Sequence, residues 1–389
     1  METENSIPRE FDDIRPLLDS EVAETVEALL ADPAFRRAAE PIIKPLDWEQ
    51  MATVMRQCKT ILDFQQKIIY PPVISLIHKT TSEFMGFNWE NVTDGKSHVF
   101  ISNHRDIVLD AAFLNMLLYE KGLSTTEIAI GDNLLIYPWI TRFVRLNKSF
   151  IVKRGVSIRQ MLETSKHLSD YIHYTVGQRQ QSIWIAQREG RAKDSNDRTQ
   201  TSLLKMMTLH DSAHPLEMLQ ELNIVPLSIS YEFDPCDYLK AKEFQLKRDN
   251  PQYKKRPADD IENMIAGITG WKGRAHFRFG KGINEKIILL KGINEKGVLL
   301  DKVAKIIDEE IYRNYSFFPF NYVAYDLLTQ TSTFADKYTP EDAKKFEKYL
   351  ETQIQKINIP NKDHEFLRAK IIEMYGNTVK NYVSTVTGS

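Results

Sequence analysis

The chain has 389 residues, of which 42% are hydrophobic and 27% charged, and its formal net charge at pH 7 is -2. This composition is ordinary for a soluble globular protein, and the length allows one large domain or about two to three smaller ones. The near-neutral charge disfavours nucleic acid as a partner. The only cysteines are Cys58 and Cys236, which predicts neither a disulfide framework nor a cysteine-based metal site and favours reduced thiols in a cytoplasmic protein.

The N-terminal residues, 1–5, are acidic and polar, which is not the pattern of a secretory signal. No window approaches the roughly 20 apolar residues that span a bilayer. We therefore expect a protein that is soluble or lies on a membrane surface.

Residues 9–95 have a mostly helical pattern. Apolar residues recur at steps of three and four over 14–30 and 47–69, and Pro71-Pro72 is predicted to end the second of these helices. The segment 73–89 mixes apolar, aromatic and basic residues. It fits either a lipid-docking surface or a helix packed on the core, and the pattern favours the packed helix.

From residue 98 to about 281, short apolar runs alternate with helical patterns. The predicted strands are 98–102, 126–131, 149–153, 182–187, 224–231 and 274–280, and helical patterns lie at 110–121, 157–175 and 200–210. Strands that alternate with helices are typical of an α/β layer. The sequence therefore predicts an α/β domain over 96–330.

Residues 281–290 and 291–300 form a near repeat, too short to indicate a solenoid. We expect the second copy to lengthen a loop and begin the helix that continues through Ile307 and Ile311.

The C-terminal residues, 331–389, are charged and helical in pattern, with one helix opening at Pro340 and another over 365–375. The predicted organisation is a helical N-terminal region (1–95), the α/β domain (96–330) and a helical C-terminal appendage (331–389).

One histidine and two carboxylates lie within seven residues, directly after the strand 98–102. They are His104, Asp106 and Asp110. In an open α/β sheet, ligands bind at the carboxyl ends of strands, and an aspartate that fixes the tautomer of an imidazole makes it a general base. The same residues also fit a helix-capping aspartate beside a hydrogen-bonded loop histidine. The motif by itself leaves both interpretations open.

Two further polar clusters end predicted strands. Lys153 and Arg154 follow the run 149–152, and Glu189-Gly190-Arg191 follows the run 182–187. Cations at the carboxyl end of a strand, ahead of a helix, suit an anion such as phosphate. Each cluster taken singly also fits a solvated turn.

Four short blocks in this order resemble the glycerolipid acyltransferase family, which includes glycerol-3-phosphate and 1-acylglycerol-3-phosphate acyltransferases. The blocks are Asn103-His104 with Asp110, Gly131-Asp132-Asn133 leading to Phe150-Ile151-Val152-Lys153-Arg154, Ile185 through Glu189-Gly190-Arg191, and Ile224-Val225-Pro226-Leu227. There are two departures from the family pattern. His104 and Asp110 are six positions apart instead of five, and the residue that normally separates the glycine and arginine of the third block is missing.

The resemblance implies an acyltransferase-like mixed sheet flanked by helices, and transfer of a fatty acyl group to a hydroxyl of a glycerol phosphate-type acceptor. His104 would be the general base, with Asp110, or Asp106 in its place, as its partner. The implied substrate-binding residues are Asn103, Arg105, Lys153, Arg154, Glu189, Gly190, Arg191 and Lys193. No metal or cofactor is implied, since acyl-CoA or acyl carrier protein serves as co-substrate.

The implied partners are this acyl donor, a phosphate-bearing lipid acceptor and the inner face of the cell membrane, with 73–89 as the candidate docking segment. Three other interpretations stay open at this point. They are acyl transfer to a non-glycerol lipid acceptor, a non-catalytic lipid- or phosphate-binding protein on the same fold, and metal-dependent hydrolysis with His104, Asp106 and Asp110 as ligands.

Overall fold

The centre of the molecule is a seven-stranded sheet. The computed structural model describes residues 7–40, 47–155 and 157–387, so the acidic residues 1–5 lie outside the described part. The strands are β1 (Thr81–Phe87), β2 (Val99–Ser102), β3 (Glu127–Gly131), β4 (Ser149–Val152), β5 (Ile183–Ala186), β6 (Ile224–Tyr231) and β7 (Gly273–Phe279). Their order across the sheet is β1-β7-β6-β2-β5-β3-β4.

Five neighbouring strands, from β6 to β4, run parallel to one another. Strand β7 is antiparallel to β6, and β1 is parallel to β7. The sheet is therefore mixed and flanked by helices, which confirms the predicted α/β fold class. All six predicted strands are present, with ends within one residue of the prediction.

The six predicted strands could be recognised because the sheet is buried on both faces. Val99 and Ile101 of β2 belong to the apolar cluster on one face, and Phe100 belongs to the cluster on the other. Strand β6 is buried along its whole length. A strand covered on both sides has a nearly continuous apolar sequence.

The sequence pattern did not reveal β1, and the prediction of a mostly helical segment over 9–95 is wrong for these seven residues. Strand β1 lies at the edge of the sheet and leaves Ser82, Glu83 and Met85 exposed. It therefore lacks an apolar run, and only its pairing with the distant β7 defines it.

The α-helices described before β1 are α1 (Val22–Leu30), α2 (Pro33–Ala39), α3 (Trp48–Arg56), α4 (Ile61–Phe64) and α5 (Tyr70–Thr80). The prediction that Pro71-Pro72 ends a helix is wrong, since α5 runs through both prolines. A π-helical turn, Gln65–Ile69, directly precedes them. Its wider hydrogen-bonding pattern accommodates the two missing N–H donors and the proline rings. Helix α1 begins at Val22 rather than near residue 14, because Pro16 disfavours helical backbone at the residue before it.

Between β2 and β7 the described residues form the α-helices α6 (Leu109–Glu120), α7 (Pro138–Leu146), α8 (Ile158–His173), α9 (Thr201–Met207), α10 (Pro215–Glu221), α11 (Asp237–Asp249) and α12 (Pro257–Thr269). The helices predicted over 110–121, 157–175 and 200–210 correspond to α6, α8 and α9. Helix α8 continues into a second π-helical turn, Tyr174–Gln178.

After β7, the α-helices in the described part of the chain are α13 (Asn284–Ile287), α14 (Lys296–Arg313), α15 (Pro319–Thr329), α16 (Pro340–Gln355) and α17 (His364–Thr387). The second copy of the near repeat opens α14, as predicted. Helices α15, α16 and α17 share an apolar cluster of their own. The hydroxyls of Tyr349 and Tyr375 donate to Asp237 of α11 at 2.6 and 3.0 Å, which ties the C-terminal helices to the sheet domain. The domain boundaries at 95/96 and 330/331 stay predictions.

Candidate active site

The carboxyl ends of the five parallel strands and the amino ends of β1 and β7 lie along one edge of the sheet, here called the site edge. This follows from the strand directions. His104 comes two residues after β2, whose neighbours are β5 and β6. The motif therefore sits near the middle of the edge at which α/β proteins bind ligands.

His104 and Asp110 are hydrogen-bonded, with 2.7 Å between His104 Nδ1 and Asp110 Oδ2. Because a carboxylate only accepts, Nδ1 carries the hydrogen and Nε2 is the basic nitrogen. Asp110 is fully buried in the first turn of α6. It also accepts the backbone N–H groups of Arg105 (2.6 Å) and Asp106 (3.0 Å) and the hydroxyl of Tyr231 (2.8 Å). These four hydrogen bonds fix the carboxylate, and through it the ring.

Asp106 has a different role. Its Oδ1 accepts the backbone N–H groups of Val108 (2.8 Å) and Leu109 (2.7 Å), so it caps the start of α6. Burial and the neighbouring Asp110 raise the pKa of Asp106. The sequence left both aspartates open as partners of His104; the structure pairs His104 with Asp110, and the turn that Asp106 caps accommodates the longer spacing.

Two buried neighbours hold the position of His104. The Trp184 ring packs edge-on against the imidazole, with 5.6 Å between ring centroids, and its Nε1 donates to Ser102 Oγ at 3.0 Å. The Asn103 amide exchanges two hydrogen bonds of 2.8 Å with the backbone of Ile229. The buried Asn103 amide thereby anchors the end of β2 to β6, and a substrate contact of Asn103 stays a prediction.

Arg105, predicted to bind substrate, forms a buried ion pair instead. Its guanidinium donates to Asp197 at 2.6 and 3.3 Å and lies over the Tyr315 ring. Burial alone would lower the pKa of Arg105, but the Asp197 carboxylate raises it. With its charge compensated in the interior, Arg105 supports the fold.

The two cations after β4, Lys153 and Arg154, have different partners. Lys153 forms an ion pair with Asp13 of the N-terminal segment, which takes its charge away from the predicted phosphate site. Arg154 stays at the site edge, with its backbone N–H on Asp132 at 3.1 Å and its Nη1 2.9 Å from Glu189 Oε1. Glu189, which the resemblance implies as a substrate-binding residue, therefore holds a cation.

The turn after β5 carries the last predicted residues. Gly190 has a φ of +66°, a left-handed conformation that favours glycine. Lys193 is paired with Glu243 of α11, so its predicted substrate contact has a competing partner. Arg191 Nη2 donates to Asn263 of α12 at 2.9 Å, whereas its Nη1 is buried without a partner.

Three residues that the sequence did not single out complete the arrangement: Tyr231, Trp184 and Arg188. Arg188 Nε is buried without a hydrogen-bond partner, and no described carboxylate forms an ion pair with this side chain. The sequence signal for Arg188 was its position directly after the predicted strand 182–187, which is β5, a neighbour of β2. Among the described residues, no group of three His, Cys, Asp or Glu side chains is arranged to hold a metal ion.

Residues 87–230 match the model of the family described as Acyltransferase. A solved structure similar to the chain is that of the 1-acyl-sn-glycerophosphate acyltransferase PlsC from Thermotoga maritima. It has 10% sequence identity and a TM-score of 0.35, and the alignment covers 76% of this chain and 98% of that one. No curated protein matches the sequence significantly. The family match spans the His104 motif, Arg154, Arg188 and Arg191, and it supports the resemblance drawn from the four blocks: residues 87–230 form an acyltransferase domain.

Proposed function

We propose that this enzyme transfers a fatty acyl group from acyl-CoA or acyl carrier protein to a hydroxyl of glycerol 3-phosphate or 1-acylglycerol 3-phosphate, with His104 as general base. The observation that carries the proposal is the geometry of the His104–Asp110 pair. Nδ1 is bound to a buried carboxylate at 2.7 Å, while Nε2 forms no hydrogen bond with any described residue. The imidazole side chain is 13% exposed, so an acceptor hydroxyl can approach it.

In the proposed reaction, His104 Nε2 takes the proton of the acceptor hydroxyl while the hydroxyl oxygen attacks the thioester carbonyl carbon. The carbon–sulfur bond then breaks, and the imidazolium gives the proton to the leaving thiolate. An ester and a free thiol result, and the ring returns to its neutral form. Asp110 stabilises the imidazolium between these steps. Because a thioester is already activated, we propose that no protein nucleophile, metal or cofactor is needed.

Arg188 and Arg191 support an acceptor that carries phosphate. Both follow β5, the neighbour of β2, and each has a buried nitrogen without a partner. Leaving a buried donor unpaired costs about 1–3 kcal/mol. Burial would lower the pKa of Arg191, but the neighbouring Cys236, Asp234 and Asp106 raise it. A phosphate oxygen would give both side chains charge-assisted hydrogen bonds.

The test is acyl transfer by the His104→Ala variant. The assay uses labelled acyl-CoA or acyl carrier protein with glycerol 3-phosphate, 1-acylglycerol 3-phosphate and a non-phosphorylated monoacylglycerol, and product masses are read directly. We expect the wild-type enzyme to acylate a phosphorylated acceptor and the variant to lose about 10²–10⁴-fold in rate, the usual contribution of a positioned base.

His214→Ala is the matched control, because His214 is an exposed histidine also bonded to an aspartate, Asp211, at 2.7 Å. It should leave the rate unchanged. Residual activity of His104→Ala within about tenfold of wild type would contradict the general-base role. Exclusive use of the monoacylglycerol would contradict the phosphate-bearing acceptor.

A further inference from the structure

Two groups of exposed apolar side chains flank His104 along the site edge. The first, here called the β3/β4 cluster, follows the carboxyl ends of these two strands. Its members lie in the segment before α7 and in the first turns of α8: Ile136, Tyr137, Met161 and Leu162. Leu162 is 65% exposed, although this residue type is usually buried.

The second group, here called the α12 cluster, lies on the opposite side of His104. It comprises Val108 in the motif loop, Ile261 and Ile265 of α12, and Trp271 just before β7. Helix α12 is packed against the site, since Asn263 bonds to Arg191 and Gly267 lies against Asp106. Ile265 nevertheless points outward and is 57% exposed.

Two cations and one carboxylate, Glu163 of α8, are exposed beside the β3/β4 cluster, so the net charge there is positive. Arg142 of α7 and Arg159 of α8 are exposed, and neither forms an ion pair with a described residue. Near the α12 cluster, Lys254 is likewise exposed without such a partner. Apolar side chains with unpaired cations beside them, and with Tyr137 and Trp271 among them, are the combination that binds an anionic lipid surface.

We propose that the site edge docks on an anionic lipid bilayer, with the β3/β4 cluster and the α12 cluster in contact with lipid on either side of His104. This inference rests on the proposed function, in which a lipid acceptor reaches His104. Among the described residues no helix combines the length and apolarity needed to cross a membrane. The predicted docking segment 73–89 is divided: Val73 and Ile77 are buried in the core, whereas Ile74 and Met85 are exposed.

The opposite edge of the sheet supplies an internal control. Strand β7 ends there, and Ile288 and Leu289 follow it. Leu289 is 81% exposed, more than any residue of the two clusters. If exposed apolar area alone determined docking, Leu289 would contribute most. The proposal predicts that it contributes nothing, because docking through this edge would turn His104 away from the lipid.

The experiment is flotation of the full-length protein with vesicles of phosphatidylcholine, with and without phosphatidylglycerol. We expect binding to the anionic vesicles and weaker binding to the neutral ones. The double variant Leu162→Glu/Ile265→Glu should weaken vesicle binding by about tenfold or more, since it replaces apolar contact with charge. Leu289→Glu should bind like wild type. All three substitutions are at exposed positions, and thermal melting verifies that the variants fold.

An assay of acyl transfer to glycerol 3-phosphate without vesicles tests the proposed function independently of the docking surface. The double variant should retain the wild-type rate in that assay.

The docking surface would be overturned by unchanged vesicle binding of the double variant, by loss of binding in Leu289→Glu, or by no binding of the wild type. None of these results would affect the acyl-transfer assay. A dimer that the double variant dissociates, without vesicle binding, would instead assign the clusters to a second copy of the chain. Vesicle binding that depends on the clusters, with no acyl transfer to any acceptor, would overturn the proposed function alone.

Discussion

The two ends of β2 each carry a histidine that bonds to an aspartate, but only one of these histidines can act as a base. At the amino end, His98 Nε2 lies 3.0 Å from Asp94 Oδ1 and Nδ1 lies 3.3 Å from the backbone oxygen of Asn223. Both ring nitrogens of His98 face acceptors. At the carboxyl end, His104 uses only Nδ1, so its Nε2 remains open to a substrate proton.

The carboxylates differ as well. The Asp94 side chain is 40% exposed, whereas Asp110 is fully buried and accepts four hydrogen bonds. A histidine–aspartate pair is therefore not by itself a catalytic arrangement. An open second nitrogen and a carboxylate fixed by several donors distinguish the pair at the site edge from the one at the opposite edge.

The most decisive test of the difference between the two histidine–aspartate pairs is to replace each aspartate by asparagine. The Asp110→Asn amide would donate to His104 Nδ1 and move the ring hydrogen to Nε2, the wrong tautomer for a base. We expect acyl transfer to fall by about 10²–10⁴-fold. Asp94→Asn should leave the rate unchanged, because His98 does not contact substrate in the proposed reaction. Steady-state rates on glycerol 3-phosphate measure both, and equal losses in the two variants would refute the distinction.

A smaller effect is expected from Tyr231→Phe, which removes one of the four hydrogen bonds to Asp110. Burial and the Asp110 charge raise the pKa of Tyr231, so its hydroxyl stays protonated and donates. A hydrogen bond to a charged group contributes about 1.5–3 kcal/mol, and a rate loss of about tenfold is expected. With one donor fewer, the carboxylate stabilises the imidazolium more strongly. The acidic limb of the pH–rate profile should therefore move to higher pH.

Tyr315→Phe is the matched control for this variant. The Tyr315 hydroxyl also donates to a buried aspartate, Asp197, at 2.6 Å, but Asp197 pairs with Arg105 rather than with a histidine. Loss of the Tyr315 hydroxyl should lower the stability of the protein and leave the shape of the pH–rate profile unchanged. A shift of the same size in both variants would mean that Tyr231 has a purely structural role.

The same contrast explains how much of the site could be predicted from sequence. Strand β2, its carboxyl end and the position of His104 follow from a local pattern, because an apolar run and the polar residues after it are adjacent in the chain. The family blocks added the acyltransferase assignment. Strand β1 escaped prediction because it is an edge strand, defined by its pairing with β7.

The roles of individual polar residues depend on partners that are remote in sequence. Nothing near Arg105 indicates that Asp197 neutralises it, and nothing near Arg188 indicates that it lacks such a partner. Asp106 and Asp110 both fit the motif, and the backbone N–H groups that each accepts distinguish them only in the folded turn. Sequence thus located the site, while the fold assigned the residues within it.

The smallest expected effect concerns two glycines, one near each end of β2. A Cβ at Gly267 would overlap Asp106 Oδ2, the carboxylate that caps α6, whereas a Cβ at Gly177 meets open space. Gly177 lies in the π-helical turn next to Val176, whose backbone oxygen accepts the Ser97 hydroxyl just before His98. Gly267→Ala should lower the free energy of unfolding by about 1–3 kcal/mol. Gly177→Ala should be neutral or stabilise by up to about 1 kcal/mol, since alanine favours helical backbone.

Urea denaturation midpoints of the two alanine variants measure this difference in the free energy of unfolding. Acyl-transfer rates show whether the less stable variant is also less active. Displacing Asp106 would loosen the turn that presents two backbone N–H groups to Asp110, so Gly267→Ala should also reduce the rate. If Gly267→Ala is as stable and as active as Gly177→Ala, then the close contact of α12 with Asp106 does not support the His104–Asp110 pair. The contrast between the two ends of β2 would then rest on the hydrogen bonds of Asp110 and on the open Nε2 of His104 alone.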